Sequence, residues 1–219
     1  MNINKSKYFI FLGPPGGGKG TQAKRLAKKL GYFYFGMGDL LRQEAKKKTP
    51  LGQKFQAILD KGQGGLISDQ KLNNFLSHNF SKLAKYPGIV FDGVPRTLYQ
   101  AEHLATLLRN NINQTKVINL DVSDNLLIER IQTRRVCQQC EKIFFQPKKL
   151  GIHRCYCGGK LIQRDEDKVD VFIKRLAIYN QETKPIIDYY QKQGILLNIN
   201  GDPSIDQVWE DIQEKLSLD

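Results

Sequence analysis

The feature that most constrains this chain is the run Gly13-Pro14-Pro15-Gly16-Gly17-Gly18-Lys19-Gly20-Thr21, which fits the pattern G-x-x-x-x-G-K. The apolar, β-rich residues 7–12 precede it, and residues 21–30, with apolar positions at helical spacing, follow it. In a strand, glycine loop and helix of this kind, backbone N–H groups turn inward around phosphate oxygens. The helix N-terminus adds partial positive charge, and Lys19 places a full charge on β- and γ-phosphates. A chance glycine turn would lack the two flanking elements. The residue after Lys19 is Gly20 rather than Ser or Thr, so a metal-facing hydroxyl comes from Thr21 or the metal is held mainly by phosphates and water.

Further strands are predicted at residues 89–91, 117–120 and 195–197, each followed by a helical pattern that opens on Thr97, Ser123 or Ser204. Nearly all-apolar strands alternating with helices imply an α/β fold with a parallel sheet buried on both faces. Two stretches break the rhythm and read as insertions. Residues 36–67 carry helical patterns at 39–48 and 51–61 before the run Gly62-Gln63-Gly64-Gly65, and residues 133–167 are rich in cysteine and turns. A length of 219 residues, 40% hydrophobic and 26% charged, suits one large domain with insertions and excludes disorder, collagen and coiled coil. The longest apolar runs, at 8–12 and 195–197, fall far short of the ~20 residues that span a bilayer, and the first is too short for a signal-peptide core. A cytoplasmic protein that retains its N-terminus is expected. The net charge of +12 points to anionic partners without choosing among nucleic acid, acidic membrane and nucleotide phosphates.

The segment Val90-Phe91-Asp92-Gly93-Val94-Pro95-Arg96-Thr97 puts an acid, a glycine and an arginine at the end of a predicted core strand, where open α/β sheets bind ligands. Asp92 is suited to hold Mg²⁺ through water, and Arg96 to fork onto a phosphate. Arg42 lies on the first insertion's helix, Arg130 and Arg134 enter the second insertion, and Arg164 and Arg175 leave it. The 130/134 spacing predicts two guanidinium groups on one helix face, an arrangement that solvated surface helices also show. All four cysteines lie between 137 and 157, which favours a metal site or reduced thiols over a disulfide framework. Cys137-Gln138-Gln139-Cys140 is a good half-site for a tetrahedral ion. His78 and His103 fall in predicted helices without partner residues and read as surface positions.

The motifs GPPGGGKGTQ, GDLLR, FDGVPRT with Gln100 four residues after Arg96, RIQTRR, and QRDED with the helix ending KRLAIY together resemble the adenylate kinase family, in family order across essentially the whole chain. The resemblance implies a P-loop core of parallel sheet and flanking helices (residues 1–35, 68–132 and 168–219), a helical nucleoside-monophosphate-binding insertion at 36–67 and a small zinc-ribbon-like lid at 133–167. It implies the reversible reaction Mg·ATP + AMP ⇌ 2 ADP, in the cytoplasm, by a monomer whose partners are ATP, AMP and ADP rather than nucleic acid or membrane. It implies that Gly16, Gly17, Gly18, Lys19, Gly20 and Thr21 cradle the ATP phosphates, that Arg130 lies against the ATP adenine and Arg134 reaches the ATP phosphates, and that Ile143, Phe144 and Pro203 make further contacts to ATP. Arg42 and Arg96 then grip the AMP phosphate, and Met37, Gly93, Val94 and Pro95 belong to the AMP site. Gln100 and the backbone of Gly65, Leu66 and Ile67 recognise the AMP adenine. Asp92 organises the waters of Mg²⁺, and Arg164 and Arg175 close over the transferred group. Lys19, Arg96, Arg134, Arg164 and Arg175 thus form the implied catalytic set.

Three departures from the family pattern stand out. Gly36-Met37-Gly38-Asp39 replaces Ser-Thr-Gly-Asp, exchanging a hydroxyl for a thioether; Val94 replaces an aromatic residue; and the lid acids read Asp165-Glu166-Asp167 instead of Arg-x-Asp-Asp. None of these removes a phosphate-binding charge. The resemblance also implies a lid zinc held by Cys137, Cys140 and Cys157, with Cys155 or His153 as the fourth ligand; Cys155 is preferred as the better thiolate donor. Two other functions remain open on the sequence: a UMP/CMP or other nucleoside monophosphate kinase, and a zinc-ribbon nucleic-acid-binding protein suggested by the cysteines and a pI near 9.5.

Overall fold

Five parallel strands form the centre of the molecule in a computed structural model that describes residues 6–47, 49–60, 68–83, 85–109, 111–145 and 153–218. Strand β1 (Tyr8–Leu12) lies between β3 (Ile89–Asp92) and β4 (Thr115–Asp121), with β2 (Phe33–Gly36) and β8 (Leu196–Asn200) at the edges. Every pairing is parallel, and Phe11 lies opposite both Asp92 and Ile118. Successive side chains of a strand point to opposite faces. Phe9 and Phe11 therefore pack with Ala23 and Leu26 of α1 (Lys19–Leu30) and with Val208 and Ile212 of α9 (Ile205–Lys215). Ile10 and Leu12 pack on the other face with Leu104 of α5 (Leu98–Leu107) and with Ile186 and Tyr190 of α8 (Lys184–Lys192). A strand covered on both sides has no solvent face to make polar, which is why residues 8–12 are apolar throughout.

Strand β1 is also where the sheet order reverses, since the chain passes to β3 on one side and β4 on the other. The loops at the C-terminal ends of β1 and β3 open into one crevice there, as expected of such sheets. Among the helix starts, Thr97 caps α5 by accepting from Gln100 N–H, and Ser204 forms a reciprocal capping box with Gln207. Ser123 stands at the start of α6 (Asp124–Thr133) without a capping bond from its side chain.

Some boundaries differ from the sequence expectation. Strand β2 has no counterpart in it, because β2 is a short, half-buried edge strand that runs straight into α2 (Met37–Ala45) with no turn residues between. The last strand is displaced to Leu196–Asn200 by a reversal at Gly194, whose φ of 69° is left-handed. The two helical patterns of the first insertion become α2 and α3 (Pro50–Asp60), followed by α4 (Asp69–Phe80). Gly62, Gly64, Gly65, Leu66 and Ile67 lie outside the described residues. In the second insertion β5 (Arg134–Cys137) pairs antiparallel with β6 (Ile143–Phe145) on one side and β7 (Leu161–Ile162) on the other. Helix α7 (Val169–Ile178) then returns to the core and continues into α8 through a π-helical turn, Tyr179–Thr183. Among the described residues no helix is long and apolar enough to cross a membrane.

Candidate active site

The loop after β1 is shaped by left-handed glycines, with φ of 138° at Gly13, 80° at Gly16 and 88° at Gly18. These values are unfavourable for any residue with a Cβ, so the glycines are what let the loop curl around an anion. Lys19 folds back across the loop, and its Nζ donates to the carbonyls of Gly13 and Pro14 at 2.7 Å each. Burial pulls the Lys19 ammonium down to about 8, against the pull of Asp92, and the nearby Arg96, Arg175 and Arg134 push it the same way. The positive field in the crevice thus reaches the loop lysine, and an anion placed there would relieve it.

A cavity of about 510 Å³ brings together Lys19, Gly93, Pro95, Arg96, Gln100 and Arg175. Arg96 is fixed along its length: its Nε donates to Gly93 O at 3.0 Å, and its carbonyl accepts from the Thr183 hydroxyl at 2.9 Å. The π-helical turn supplies that hydroxyl and much of the cavity wall, a frequent use of such turns. Met37 and Val94 are not on the wall but deep in the apolar core, each 1% exposed. Arg42 pairs with Asp39, which in turn meets Lys24 at 2.9 Å, and the Arg42 Nε is buried with no hydrogen-bond partner among the described residues. A buried, unused guanidinium donor calls for an anionic acceptor.

A second cavity, of about 170 Å³, lies on the other side of the loop. Gly16, Gly17, Gly18, Thr21, Arg130 and Pro203 line it, together with Phe145. Arg130 Nη2 donates to Gly201 O at 2.9 Å, which ties the guanidinium to the turn before α9. Of the aromatic residues in β6, Phe145 faces this cavity, whereas Phe144 packs on Cys137, Cys155 and Leu161 and Ile143 is 40% exposed. The two-residue alternation of a strand is the signal that separates Phe145 from Phe144. Arg130 and Arg134 do not share a helix face, which corrects the expectation from their spacing. Residue 134 takes extended angles (φ −64°, ψ 130°), ending α6 at Thr133, and Arg134 turns to Asp167 in a two-bond pair, Nε to Oδ2 at 2.8 Å and Nη2 to Oδ1.

The lid acids act as the counter-charge for these arginines. Glu166 lies 3.4 Å from Arg164 and 3.9 Å from Arg42, and its backbone carbonyl accepts from Arg175. Burial alone would raise its carboxyl, but Arg175, Arg42, Arg164 and Arg134 outweigh that and hold it down to about 2. The longer Glu arm therefore keeps its arginine partners.

Two contributors were not singled out from the sequence. The hydroxyl of Tyr34, in β2, donates to Asp92 Oδ2 at 2.8 Å. A Cβ at Gly20 would sit 3.0 Å from that same oxygen, and one at Gly36 would sit 2.5 Å from the Tyr34 hydroxyl. Glycine at 20 and 36 thus makes room for the Tyr34–Asp92 pair. Thr21, by contrast, lines the second cavity. The other contributor is Asp69, whose carboxylate receives the Gln100 side chain.

The Sγ atoms of Cys137, Cys140, Cys155 and Cys157 all lie within 4.8 Å of one another, compatible with four thiolates around one tetrahedral ion. Backbone N–H groups of Cys140 and Gln139 point at Cys137 Sγ and pull its thiol down to about 6, favouring the ligating form. Gly159 is required behind this sulfur, since a Cβ there would fall 2.6 Å from it. His153 is exposed and its ring is not part of the group.

Comparison with known proteins gives this geometry a lineage. The sequence model of the adenylate kinase family matches residues 11–195. The chain belongs to the adenylate kinase family. It is 42% identical over 211 residues to the adenylate kinase of Caldanaerobacter subterraneus subsp. tengcongensis, covering 94% of this chain and 95% of the relative. It is 40% identical over 208 residues to that of Archaeoglobus fulgidus, covering 93% and 95%. Against the adenylate kinase of Clostridioides difficile it is 39% identical over 207 residues, with 93% and 95% covered. As an adenylate kinase family member the chain brings Gly13, Pro15 and Lys19 of its glycine loop together with Arg96 and Arg175 around one cavity.

Proposed function

We propose that this chain catalyses Mg·ATP + AMP ⇌ 2 ADP as a cytoplasmic monomer, with residues 36–67 as the monophosphate-binding insertion and 133–167 as the lid. The observation that carries the reading is that Lys19, Arg96 and Arg175 line one cavity together with Gln100. Groups for a phosphate and an amide for a base are thus met in the same cavity. The second cavity, with Arg130 and Pro203 beside the glycine loop, takes the ATP nucleoside.

The attacking phosphate oxygen of AMP is already an anion, so the reaction needs no general base. Arg42 and Arg96 hold the AMP phosphate in line, and the rigid anchoring of Arg96 is what fixes its direction of attack. Lys19 and the loop N–H groups hold the ATP phosphates. Charge on the equatorial oxygens of the transferring group is balanced by Lys19, Arg134, Arg164 and Arg175. Before substrate arrives Glu166 and Asp167 occupy the lid arginines, which keeps mutually repelling guanidinium groups together; phosphate then competes for them and draws the lid closed. Asp92, steadied by Tyr34 and carrying lone pairs to spare, fits the waters of a Mg²⁺ ion, which supplies further positive charge at the phosphates when bound. The four cysteines hold a structural Zn²⁺ in the lid, remote from the reacting atoms.

A coupled assay of ADP formation from ATP with AMP, GMP, CMP or UMP tests the assignment. AMP is expected to be the best acceptor. Equal or better turnover with CMP or UMP would reassign the enzyme.

A further inference from the structure

The amide of Gln100 is held from both ends. Its Nε2 donates to Asp69 Oδ1 at 2.7 Å, and its Oε1 accepts from the backbone N–H of Arg96 at 2.8 Å. Asp69 is itself anchored, because the Thr97 hydroxyl donates to its Oδ2 at 2.6 Å while accepting from Gln100 N–H. Gln100 is 2% exposed and lies on the wall of the larger cavity, with Asp69, Arg96 and Thr97 beside it.

A primary amide has two N–H donors and two acceptor lone pairs. Asp69 and Arg96 use one of each, so one donor and one acceptor remain, in a fixed order. Reversing the amide would set Oε1 against a carboxylate and an N–H against an N–H. Both contacts are repulsive in a buried site, so the reversed state is closed off. A free glutamine would rotate to suit either kind of purine; this one is held in a single orientation. A 6-aminopurine presents a ring-nitrogen acceptor beside its N6 donor, the complement of one amide donor and one amide acceptor. A 6-oxopurine offers an acceptor at O6 in place of that donor, and its N1 carries a proton.

We propose that Asp69 is a positioning residue that locks the Gln100 amide in the orientation selecting a 6-aminopurine monophosphate over a 6-oxopurine one. The proposal rests on the assignment of Gln100 to the base of the acceptor nucleotide. Asp69 is half-buried in the first turn of α4, where alanine is well tolerated. IMP is the sharpest probe, since it differs from AMP at position 6 and in the proton on N1.

The experiment is calorimetric binding of AMP and of IMP to the wild type, Asp69→Ala, Gln100→Ala and the double variant. The AMP-to-IMP affinity ratio is expected to fall about tenfold in Asp69→Ala. In the Gln100→Ala background, removing Asp69 should leave the ratio unchanged, an outcome that a general loss of stability would not produce. A wild-type ratio in Asp69→Ala together with a reduced one in Gln100→Ala would overturn the lock while keeping the base assignment. A wild-type ratio in Gln100→Ala would overturn the base assignment itself.

Discussion

Adding one methyl group at Gly36 tests whether the Tyr34 hydroxyl is truly anchored on Asp92. Gly36 has φ −89° and ψ 102°, angles open to any L-residue, so Gly36→Ala brings no backbone strain. The new Cβ would fall 2.5 Å from Tyr34 Oη and 2.6 Å from its Cε1 and Cζ, far inside the ~3.5 Å of ordinary contact. The ring must then swing away and give up its 2.8 Å hydrogen bond to the carboxylate. A hydrogen bond to a charged group contributes about 1.5–3 kcal/mol. Forced repacking costs about 1–3 kcal/mol, and part of that is relieved when the ring moves. A net loss of about 2–4 kcal/mol follows from these ranges, or about 5–15 °C in melting temperature for a chain of this size. Thermal melts of the wild type, Gly36→Ala, Tyr34→Val and the double variant close the cycle. With valine at 34 the added methyl group meets no ring, and its cost should drop below about 0.5 kcal/mol, so the two sites must couple. A Gly36→Ala protein that melts within about 2 °C of the wild type would refute the reasoning, since it would show the Tyr34–Asp92 pair to be dispensable.

Arg96→Ala should lower kcat by about a hundredfold or more, in line with the ~3 kcal/mol that a donor to developing charge contributes, and Arg96→Lys should recover only part of it because an ammonium cannot fork; near-normal turnover in Arg96→Ala would remove Arg96 from the site. A strong chelator should lower the melting temperature of protein that contains stoichiometric zinc, and Cys155→Ser should lose that zinc while His153→Ala keeps it, as elemental analysis will show. Glu166 titrates about 2 in the folded protein against an ordinary value of 4.5, so its stabilising contribution is fully present above about 4.5 and is lost as pH falls toward 2. Acid unfolding should accordingly begin at higher pH in wild type than in Glu166→Gln, whose neutral side chain has no proton to gain; identical acid midpoints would count against the arginine cluster around Glu166.

The glycine loop was legible because its chemistry is local: residues 13–21 require left-handed glycines and a lysine wherever they occur, and the flanking pattern says what surrounds them. The core strands were equally plain, since burial on both faces leaves no freedom but to be apolar. Asp92 and Arg96 could be picked out because a strand end is where such sheets bind ligands. Their partners could not. Tyr34 is 58 residues from Asp92 and Asp69 is 31 from Gln100, and nothing local distinguishes these side chains from ordinary strand and helix-start residues. The divergence of Arg130 from Arg134 turned on where α6 stops, and the partner that Arg134 then meets, Asp167, is 33 residues downstream. Ligand type already favoured Cys155 over His153, but bringing the four sulfurs within 4.8 Å of one another needed the fold of the second insertion. Sequence determined the groups that carry charge and the loop that receives phosphate, because backbone conformation and burial are written residue by residue. Which hydrogen bond orients each of those groups depended on side chains that meet only across the sheet and its insertions, so the tertiary structure alone decided it.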